Sequence, residues 1–575
     1  MRRCPVAVSL LIALACCPTT PVHAQTLGTN RAPSTTGQFG LRGTTPPPPQ
    51  RFIVPHLREG FGSGAWQVLD RNTLVTVGRV NFQAQEWPVA DVDAVVHGGA
   101  AYLTTDRFSG SAIRSIDLTT GHDRGLIALP ANELVREGVD PIAVGQRIVW
   151  PVLLGNGSGA LRSVEPTNPI TLGPGFFFDP AELPHCDIEP VFTPDMQRLI
   201  YMTYSNAATG NVRVLDAASL TSLAKIPLNL ANQQDPINGV DPLVTPDGQT
   251  ALIPLFDEVD KRARLTFVDL DTYVAVDAFS EVGRYPIEDV DLALAPDGTT
   301  VFWPVYNSVG TSRIEIFDAL TRSHVGEIEL ADNEWPMRAV DPVFTPDGSE
   351  LLVVTHTGSA GSGRLRVIDV ASRTVVHELT LLANDWPVEE LDLILTPDGN
   401  TALWQTFDAP FSGYLHVIDV ASATETFAID MEFNEVPVEG CDVVLDPGGS
   451  KAIVTTWRSA AARGRYRIVN LPLGPVIEID LPMNEHPVPH IDPISLGDQV
   501  IVMTNDSATA QTRLRILRWS DGVQVGFREF AFGESSREGV DVVASWIQPD
   551  PDEDSVICPL PPPIPVDFAP SPASP

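Results

Sequence analysis

Acidic and aromatic side chains recur just before a proline along the chain, and their chemistry suits binding. Asn333-Glu334-Trp335-Pro336 is one copy, and Asn384-Asp385-Trp386-Pro387 is another. Carboxylates bind cations and donors, and the apolar face of an aromatic ring contacts peptides or sugars. These segments predict an acidic, aromatic rim on one face, which binds a protein, peptide or carbohydrate ligand. The candidate binding residues are Glu86, Trp87, Glu334, Trp335, Asp385, Trp386, Glu435, Glu485 and His486.

The same pattern also has a purely structural interpretation. The aromatic ring could pack on its own proline, and the acid could accept backbone N–H groups in the connection. A feature present in nearly every copy is one that the fold itself needs, whereas a catalytic residue is needed once. The pattern therefore identifies no catalytic residue.

Two of these proline-containing segments depart from the common pattern and contain side chains that can ligate transition metals. One contains His185, Cys186 and Asp187, and the other contains His486 and His490. Histidine, cysteine and carboxylate together suit a transition metal. Neither segment has an HExxH or CxxC spacing, so these residues are weak metal candidates. We predict no cofactor, with calcium or a transition metal as the alternatives.

These segments belong to a repeat that covers most of the chain. Each unit opens on an acid, which we call the anchor acid, and successive anchor acids are 47–52 residues apart. A period this regular indicates a repeat architecture. The anchor acids are Asp93, Asp140, Glu189, Asp241, Asp291, Asp341, Asp392, Asp442, Asp492 and Asp541.

One unit contains four strand-like segments, as in the copy that opens at Asp341. The first segment, 341–345, ends in a Pro-Asp-Gly turn, and a continuous apolar strand follows at 351–355. The segments 364–369 and 375–381 alternate polar and apolar residues, as half-buried strands do. Four short antiparallel strands, repeated radially, describe a β-propeller blade.

The two ends of the repeat complement each other. Residues 51–70 match 350–369 at the same spacing and supply the second and third strands of a blade, and residues 73–82 supply the fourth. One strand-like segment, 540–545, follows Asp541. The sequence therefore predicts an all-β propeller of ten four-stranded blades, with one blade closed by the N- and C-terminal strands. Two five-bladed rings are the alternative.

The segments TPDGSELLVVT (345–355), RLRVIDVASRTVVHEL (364–379) and TPDGNTALWQT (396–406) resemble the YVTN-type β-propeller repeats. The resemblance covers about residues 51–547 and implies a propeller built of such blades. It also implies relatives that include secreted binding and surface proteins, and lactonases among related propellers. No lactonase catalytic residue can be placed on this sequence position by position.

Both termini differ in composition from the repeat region. Residues 1–24 read as a secretory signal peptide, with Arg2 and Arg3 before an apolar run and a small-residue cleavage site at 22–24. Lipid attachment at Cys16 is the weaker alternative. Residues 25–50 form a leader rich in Pro, Thr and Gly, and residues 548–575 form an acidic, proline-rich tail. We therefore expect a secreted or periplasmic protein without a transmembrane segment.

The net charge of −36 argues against binding to nucleic acid, which requires a basic surface. Only three of the 37 basic residues are lysine, so the basic side chains are almost all arginine. The favoured hypothesis is a monomeric, non-enzymatic binding scaffold. The alternatives are a lactonase-like or other metal-assisted hydrolase with its site in the central channel, and a structural component of the cell envelope.

Overall fold

The structure is a computed structural model of the whole chain. It describes residues 51–536 and 543–544, apart from 59–62, 72, 90–91, 108–109, 137, 145–146, 168–169, 186–187, 206–208, 229–233, 258, 308–310, 359–360, 409–411 and 473. The expected signal peptide, leader and tail lie outside the described residues, as do Cys186, Asp187 and Asp541.

Ten separate antiparallel sheets make up the described chain, and each sheet is one blade of a single ten-bladed propeller. This confirms the predicted fold. Blade 1 combines residues 51–81 with 534–544, and blades 2 to 10 follow in chain order from Glu86. The described residues hold two short 3-10 helices, Val420–Ser422 and Ser459–Ala461, and no helix among them is long and apolar enough to cross a membrane.

Each blade has an inner, a second, a third and an outer strand, in order of distance from the propeller axis. From blade 1 onward, the second strands are Arg51–Arg58, Ala100–Arg107, Arg147–Leu154, Arg198–Ser205, Thr250–Asp257, Thr300–Asn307, Glu350–Thr357, Thr401–Asp408, Lys451–Arg458 and Gln499–Asp506. The third strands are Ser63–Asp70, Gly110–Asp117, Gly159–Glu165, Thr209–Asp216, Arg262–Asp269, Ser312–Asp318, Ser362–Asp369, Ser412–Asp419, Arg463–Asn470 and Gln511–Arg518. The outer strands are Thr76–Asn81, Asp123–Ala128, the pair Thr171–Leu172 and Phe176–Phe177, Ser222–Pro227, Ala275–Phe279, Ser323–Glu329, Thr374–Thr380, Thr424–Asp430, Val476–Asp480 and Gln524–Glu529.

The inner strand of every blade is split into two halves. From blade 2 to blade 10 and then blade 1, the first halves are Glu86–Pro88, Glu133–Val135, Glu182–Pro184, Gln234–Pro236, Arg284–Pro286, Glu334–Pro336, Asp385–Pro387, Glu435–Pro437, Glu485–Pro487 and Glu534–Ser535. In the same order the second halves are Val95–His97, Ile142–Val144, Val191–Phe192, Leu243–Val244, Ala293–Leu294, Val343–Phe344, Ile394–Leu395, Val444–Leu445, Ile494–Leu496 and Val543–Ala544.

This split corrects one expectation from the sequence. The acid–aromatic–proline segment is not a loop between blades, because residues 334–336 pair with 355–357 as part of the sheet. The second half, 343–344, pairs with 351–352. Six residues, 337–342 in blade 7, separate the two halves and are called the inner loop. Since the inner strand is nearest the propeller axis, the described inner loops, those of blades 2 to 10, lie around the central channel.

The Pro-Asp-Gly turns form as the sequence predicts. In blade 7 the Asp347 carboxylate accepts hydrogen bonds from Thr345 Oγ1 at 2.7 Å and from Ser349 N at 3.0 Å. Gly348 takes a φ of 69°, which glycine adopts without steric cost. Aspartate and glycine therefore fix the register of the two strands on either side of the turn.

The anchor acids join neighbouring blades around the channel. The backbone N–H of Asp392 donates to Asp442 Oδ1 at 2.9 Å, and the N–H of Asp442 donates to Asp492 Oδ1 at 2.8 Å. The same bond links each anchor acid from Asp93 to Asp341 to the anchor acid of the next blade. A charged carboxylate is a strong acceptor, so every blade needs this acid for assembly.

Apolar side chains fill the spaces between neighbouring blades. Leu352 and Leu365 of blade 7 pack with Trp404 and Ile418 of blade 8, and all four are fully buried. Equivalent clusters follow around the ring. Each blade is therefore stabilised by its two neighbours, as in other repeat architectures.

Blade 1 closes the ring as the sequence predicts. Residues 51–58 pair with 63–70 on one side, and with the C-terminal halves 534–535 and 543–544 on the other. Arg79 forms an ion pair with the buried Glu534, 455 residues away in the chain. The two ends of the described chain thus share one sheet, and no inner edge of blade 1 is left open.

His56 occupies the closing blade at the position that a threonine takes in most other blades. Its side chain is fully buried, its ring lies 4.1 Å from that of Phe530, and neither ring nitrogen has a hydrogen-bond partner among the described residues. Burial lowers the pKa of His56 to about 3, with help from Arg79 and Arg528 and against the effect of Glu534. The imidazole is therefore neutral in the folded ring.

Replacing His56 by threonine is expected to reduce the sensitivity of the protein to acid. In the unfolded chain a histidine has a pKa of about 6.5, so below that pH the unfolded state binds a proton that the folded state does not. Protonation of His56 in the unfolded chain therefore lowers the free energy of unfolding of the wild-type protein by about 2 kcal/mol as the pH falls from about 6.5 to about 5. Urea unfolding at these two pH values measures the difference.

The control is His377→Thr, because His377 is exposed on the outer strand of blade 7. We expect this variant to lose as much stability in acid as the wild-type protein. Equal acid sensitivity of all three proteins would show that His56 takes up its proton inside the folded ring.

Candidate functional site

The acids of the predicted rim are held inside the blades. Glu334 is fully buried, and its carboxylate accepts hydrogen bonds from Thr355 Oγ1 at 2.6 Å and from Arg366 Nε at 2.8 Å. Arg364 donates a further bond at 3.0 Å, and the backbone N–H of Ala331 donates one at 3.1 Å. The carboxylate is therefore enclosed by donors rather than offered to a ligand.

The charge of Glu334 is stabilised despite its burial. Burial opposes ionisation, but the hydrogen bonds and positive charge of Arg366, together with Thr355, outweigh it and lower the pKa of Glu334. The guanidinium of Arg366 approaches both carboxylate oxygens, a two-point contact that arginine makes and lysine does not. The acid is thus held ionised by its own blade.

Four further blades repeat this arrangement, which we call the Glu–Thr–Arg cluster. The threonine lies on the second strand and the arginine on the third, so both reach the acid across neighbouring strands. The clusters are Glu86 with Thr105 and Arg114, Glu182 with Thr203 and Arg213, Glu334 with Thr355 and Arg366, Glu435 with Thr456 and Arg467, and Glu485 with Thr504 and Arg515.

Two blades build the same position from other residues. In blade 8, Asp385 is buried and lies 3.1 Å from His416 Nε2, where the other blades have arginine. In blade 6 the charges are exchanged, because Arg284 takes the place of the acid and the buried Glu315 pairs with His324 at 2.6 Å. The hydrogen bond that the Glu315 carboxylate accepts from His324 raises the pKa of His324.

The five acids named from the sequence therefore do not form an exposed rim. Glu86, Glu334, Glu435 and Glu485 have no exposed surface, and Asp385 is 5% exposed. The alternation along the short strand explains this, because the acid and the proline point into the blade while the residue between them is half-buried. The aromatic residues, not the acids, are the accessible part of the predicted site.

These aromatic residues lie on the face that carries the connections between blades. Glu334 pairs with Thr357, so the start of the inner strand lies beside the loop that follows the second strand. The connection that enters each inner strand and the loop between the second and third strands therefore emerge on the same side of the ring, which we call the connector face. The Pro-Asp-Gly turns and the turns after the third strands emerge on the opposite side.

Aromatic rings contact one another across several blades of the connector face. The ring of His356 lies 5.8 Å from Trp335 in its own blade and 6.0 Å from Trp386 in the next. Tyr285 contacts both Phe256 of the preceding blade and Tyr306 of its own, at 5.6 and 5.4 Å. These half-buried rings form an aromatic arc over blades 5 to 8.

The remaining aromatic candidates lie at equivalent positions. His486 packs edge-on against Trp457 of the preceding blade, with the ring centroids 5.6 Å apart. Trp87 is half-buried and pairs with Asp106 across the sheet of blade 2. Aromatic residues are therefore distributed unevenly around the connector face, with most of them in blades 5 to 10.

Four exposed apolar side chains lie on the same face, in the turns that enter blades 8, 9, 10 and 1, and none of them was among the residues predicted from the sequence. Each lies in the four-residue turn that enters an inner strand, and the turns belong to four successive connections. Their exposed fractions are 82% for Leu382, 66% for Phe433, 72% for Met483 and 76% for Phe532. We call these four residues the apolar crest.

The turn itself does not require apolar side chains. The asparagine that precedes the acid, such as Asn384 or Asn434, takes a positive φ of 64–70° that asparagine tolerates well. At the position of Phe433 the turns of blades 2 and 7 carry Ala84 and Asp332. The crest is therefore specific to the turns that enter blades 8, 9, 10 and 1, although Val282 of blade 6 is also 69% exposed at the position of Phe433. Its signal in the sequence was a large apolar residue two or three positions before the acid of the inner strand.

The histidines predicted as metal ligands lie apart. His185 is buried against Tyr204, and His486 Nδ1 lies 3.0 Å from the carbonyl oxygen of Pro487. Cys186 and Asp187 lie outside the described residues. His490 is different, because the ligand atoms of His490, Glu390 and Glu439 all lie within 4.8 Å of one another. Sequence reasoning named His490 but missed both glutamates.

No family model matches the chain, and no curated protein sequence matches it. Among solved structures it is similar to hydrazine synthase of Kuenenia stuttgartiensis, at 16% identity over 58% of this chain and 95% of that one, with a TM-score of 0.32. It is also similar to BamB from Moraxella catarrhalis, at 12% identity over 62% and 96% of the two chains, with a TM-score of 0.35. The Dos1 propeller matches at 11% identity over 78% and 95%, with a TM-score of 0.39. The YVTN-type assignment stays a prediction.

Proposed function

We propose that this protein is an exported, non-enzymatic binding scaffold whose connector face binds a protein partner. The observation that carries the proposal is the apolar crest, in which four large side chains are 66–82% exposed on successive turns. Exposed apolar groups gathered on one face are costly in water and mark interaction surfaces. Export rests on the signal peptide that the sequence predicts at residues 1–24.

The aromatic residues of the same face also suit a protein interface. Protein interfaces are enriched in aromatic residues and methionine, and tryptophan and tyrosine often dominate their binding energy. The aromatic arc supplies Trp335, Trp386 and Tyr285, all partly accessible. The partner would cover the crest over blades 8, 9, 10 and 1 and would reach the aromatic arc on the neighbouring blades 5 to 8.

The net charge of the chain favours some classes of protein partner over others. The chain carries a net charge of −36, so a neutral or basic protein surface is favoured over an acidic one. The buried acids do not add to this attraction at short range, since arginine already pairs with them. Specificity would come mainly from the shape of the apolar contact.

A carbohydrate ligand is the less favoured occupant of the same face. Stacking of a sugar requires an open ring face, but Gly361 lies so close to Trp386 that a Cβ atom there would be 2.2 Å from the indole. Gly358 lies against Trp335 in the same way, and His356 stands between the two indoles. The hydrolase and envelope alternatives stay predictions.

Replacing Leu382 and Phe433 together by serine is expected to abolish retention of the partner without unfolding the ring. Both side chains are mostly exposed, so their loss removes little packing, whereas apolar residues at the centre of an interface cost about 2 kcal/mol or more each. Affinity purification from cells that produce the protein, followed by mass spectrometry, measures which proteins are retained.

Leu320→Ser is the matched control, because Leu320 is 79% exposed but lies in a turn on the opposite face. We expect this variant to retain the same proteins as the wild-type chain. A glycan array run on all three proteins separates the carbohydrate alternative. Identical retained proteins for the double variant and the control would contradict the proposal.

A further inference from the structure

We propose that Glu390, Glu439 and His490 form a binding site for one divalent transition-metal ion of the zinc type beside the central channel. The three residues belong to the inner loops of three successive blades, 8, 9 and 10. One ligand atom from each side chain lies within 4.8 Å of the other two. This site is independent of the connector-face function proposed above.

The backbone of the inner loops brings the three side chains together. The N–H of His490 donates to the carbonyl oxygen of Glu439 at 3.1 Å, which joins the loops of blades 9 and 10. His490 then extends over Gly440, where a Cβ atom would be only 2.0 Å from His490 Nδ1. Glycine at 440 therefore gives the imidazole the room to reach blade 8.

The distances between the three ligand atoms are somewhat longer than those in a zinc site, so binding of a metal would bring the ligands closer together. His490 Nδ1 lies 3.7 Å from Glu390 Oε2. In a tetrahedral zinc site with bonds of about 2.0–2.2 Å, neighbouring ligand atoms are about 3.3–3.5 Å apart. The two distances that involve Glu439 are within 4.8 Å, so shifts of up to about 1.5 Å in the flexible glutamate side chains would complete the geometry.

These residues are not part of what a blade needs. Glu390 and His490 occupy the third position of their inner loops, where other blades carry Gly138, Gly239 and Ala339. The backbone at this position has a positive φ, 63° at Glu390 and 56° at His490, which glycine would adopt at lower cost. The cluster therefore departs from the repeat in one sector of the ring.

The surrounding charges favour a dication. Burial, and then the negative charges of Glu439, Glu389 and Asp289, raise the pKa of Glu390 to about 7, while Arg338 opposes them. A divalent ion between the carboxylates would relieve this repulsion. A nitrogen ligand beside two carboxylates favours zinc-like ions over calcium or magnesium, which prefer oxygen alone.

Three protein ligands leave coordination positions for water. Glu439 is exposed, so the proposed ion would be reached from solvent. In zinc proteins, three protein ligands with an open position are typical of sites that bind an exchangeable fourth ligand. The alternative is that His490 and Glu390 form only an ion pair that links blades 8 and 10.

Titration of the full-length protein with Zn²⁺, after chelation and dialysis, tests the proposal by calorimetry. We expect one equivalent to bind, and His490→Ala and Glu390→Gln each to weaken binding by at least about tenfold, since even groups that only orient a ligand cost 10–100-fold. A large excess of Ca²⁺ or Mg²⁺ should not displace the zinc. Far-UV circular dichroism confirms that the variants are folded.

Asp332→Asn is the matched control, because it removes one exposed carboxylate charge that lies neither in the three-residue cluster nor among the charges named around Glu390. We expect it to change zinc affinity less than threefold, on the scale of one exposed charge. His377→Ala tests for adventitious binding at an exposed histidine and should also have no effect. The absence of saturable binding, equal binding by all variants, or displacement by Ca²⁺ would overturn the proposal.

Discussion

Replacing Glu334 by glutamine is expected to lower the free energy of unfolding by about 3–5 kcal/mol, as is typical when one partner of a buried ion pair is removed. The substitution removes the buried counter-charge of the Arg366 guanidinium, which is 8% exposed, and leaves it only the half-exposed Glu378. Thr355 and the N–H of Ala331 also lose a charged acceptor. Urea or thermal unfolding followed by circular dichroism measures the loss.

Asp332→Asn provides a control that removes the same charge two residues away. Asp332 is exposed in the turn that leads to Glu334, so we expect a change within about 0.5 kcal/mol. Replacing Glu334 and Arg366 together by apolar residues should recover much of the stability, because the buried guanidinium is then gone and the charges that lose a partner, Arg364 and Glu378, are partly exposed. If Glu334→Gln and Asp332→Asn had equal stability, the clusters would not hold the blades together.

Deleting residues 534–575 is expected to have a still larger effect, on the order of 5 kcal/mol or more, because it opens the ring. The deletion removes the inner strand of blade 1 and leaves 51–58 as an unpaired edge beside the buried Phe52 and Ile53. Arg79 loses its partner Glu534 at the same time. We expect earlier unfolding and association of chains through the open edge, measured by urea unfolding and light scattering.

Deletion of residues 548–575 alone is the control for this prediction. The sequence predicts a proline-rich tail there, beyond the last paired residues 543–544, so the ring should stay closed. We expect this shorter deletion to be monomeric and as stable as the full chain. A stable, monomeric protein after the longer deletion would show that the ends do not close the ring.

The architecture could be predicted from the sequence because it is repeated ten times. The spacing of the anchor acids, the Pro-Asp-Gly turns and the match between 51–70 and 350–369 each depend on local rules of strand and turn. The register Arg51 with Asp70 in blade 1 equals the register Glu350 with Asp369 in blade 7. The strand pairing of a short motif within its own blade, such as 334–336, was harder to predict from the sequence.

The acids were predicted to form an exposed rim, but the structure buries them. The reason for this error is physical. A single acid next to tryptophan gives no sign of burial, because burial depends on a partner that is distant in the sequence. The partners recur at fixed spacing, since Glu435 precedes Thr456 and Arg467 just as Glu334 precedes Thr355 and Arg366. This spacing, combined with the strand register, would have indicated the cluster.

The clusters explain part of the excess of arginine over lysine. Arg467 donates to Glu435 through Nε and Nη2, both at 3.0 Å, which a lysine ammonium does not reproduce. The sequence shows the bias but not its cause, because the two-point contact exists only once the strands are paired. The same limit applies to the metal cluster, whose residues are about 50 positions apart and meet only through the inner loops.

Site-specific photocrosslinking tests the central claim most directly, that the connector face binds a protein partner. A photoreactive phenylalanine analogue replaces Phe433 in one sample and Leu320, on the opposite face, in another. We predict a discrete crosslinked protein with the analogue at 433 and none at 320, and loss of that product when Leu382 is also changed to serine. Crosslinks of equal yield at both positions, or none at 433, would contradict the account.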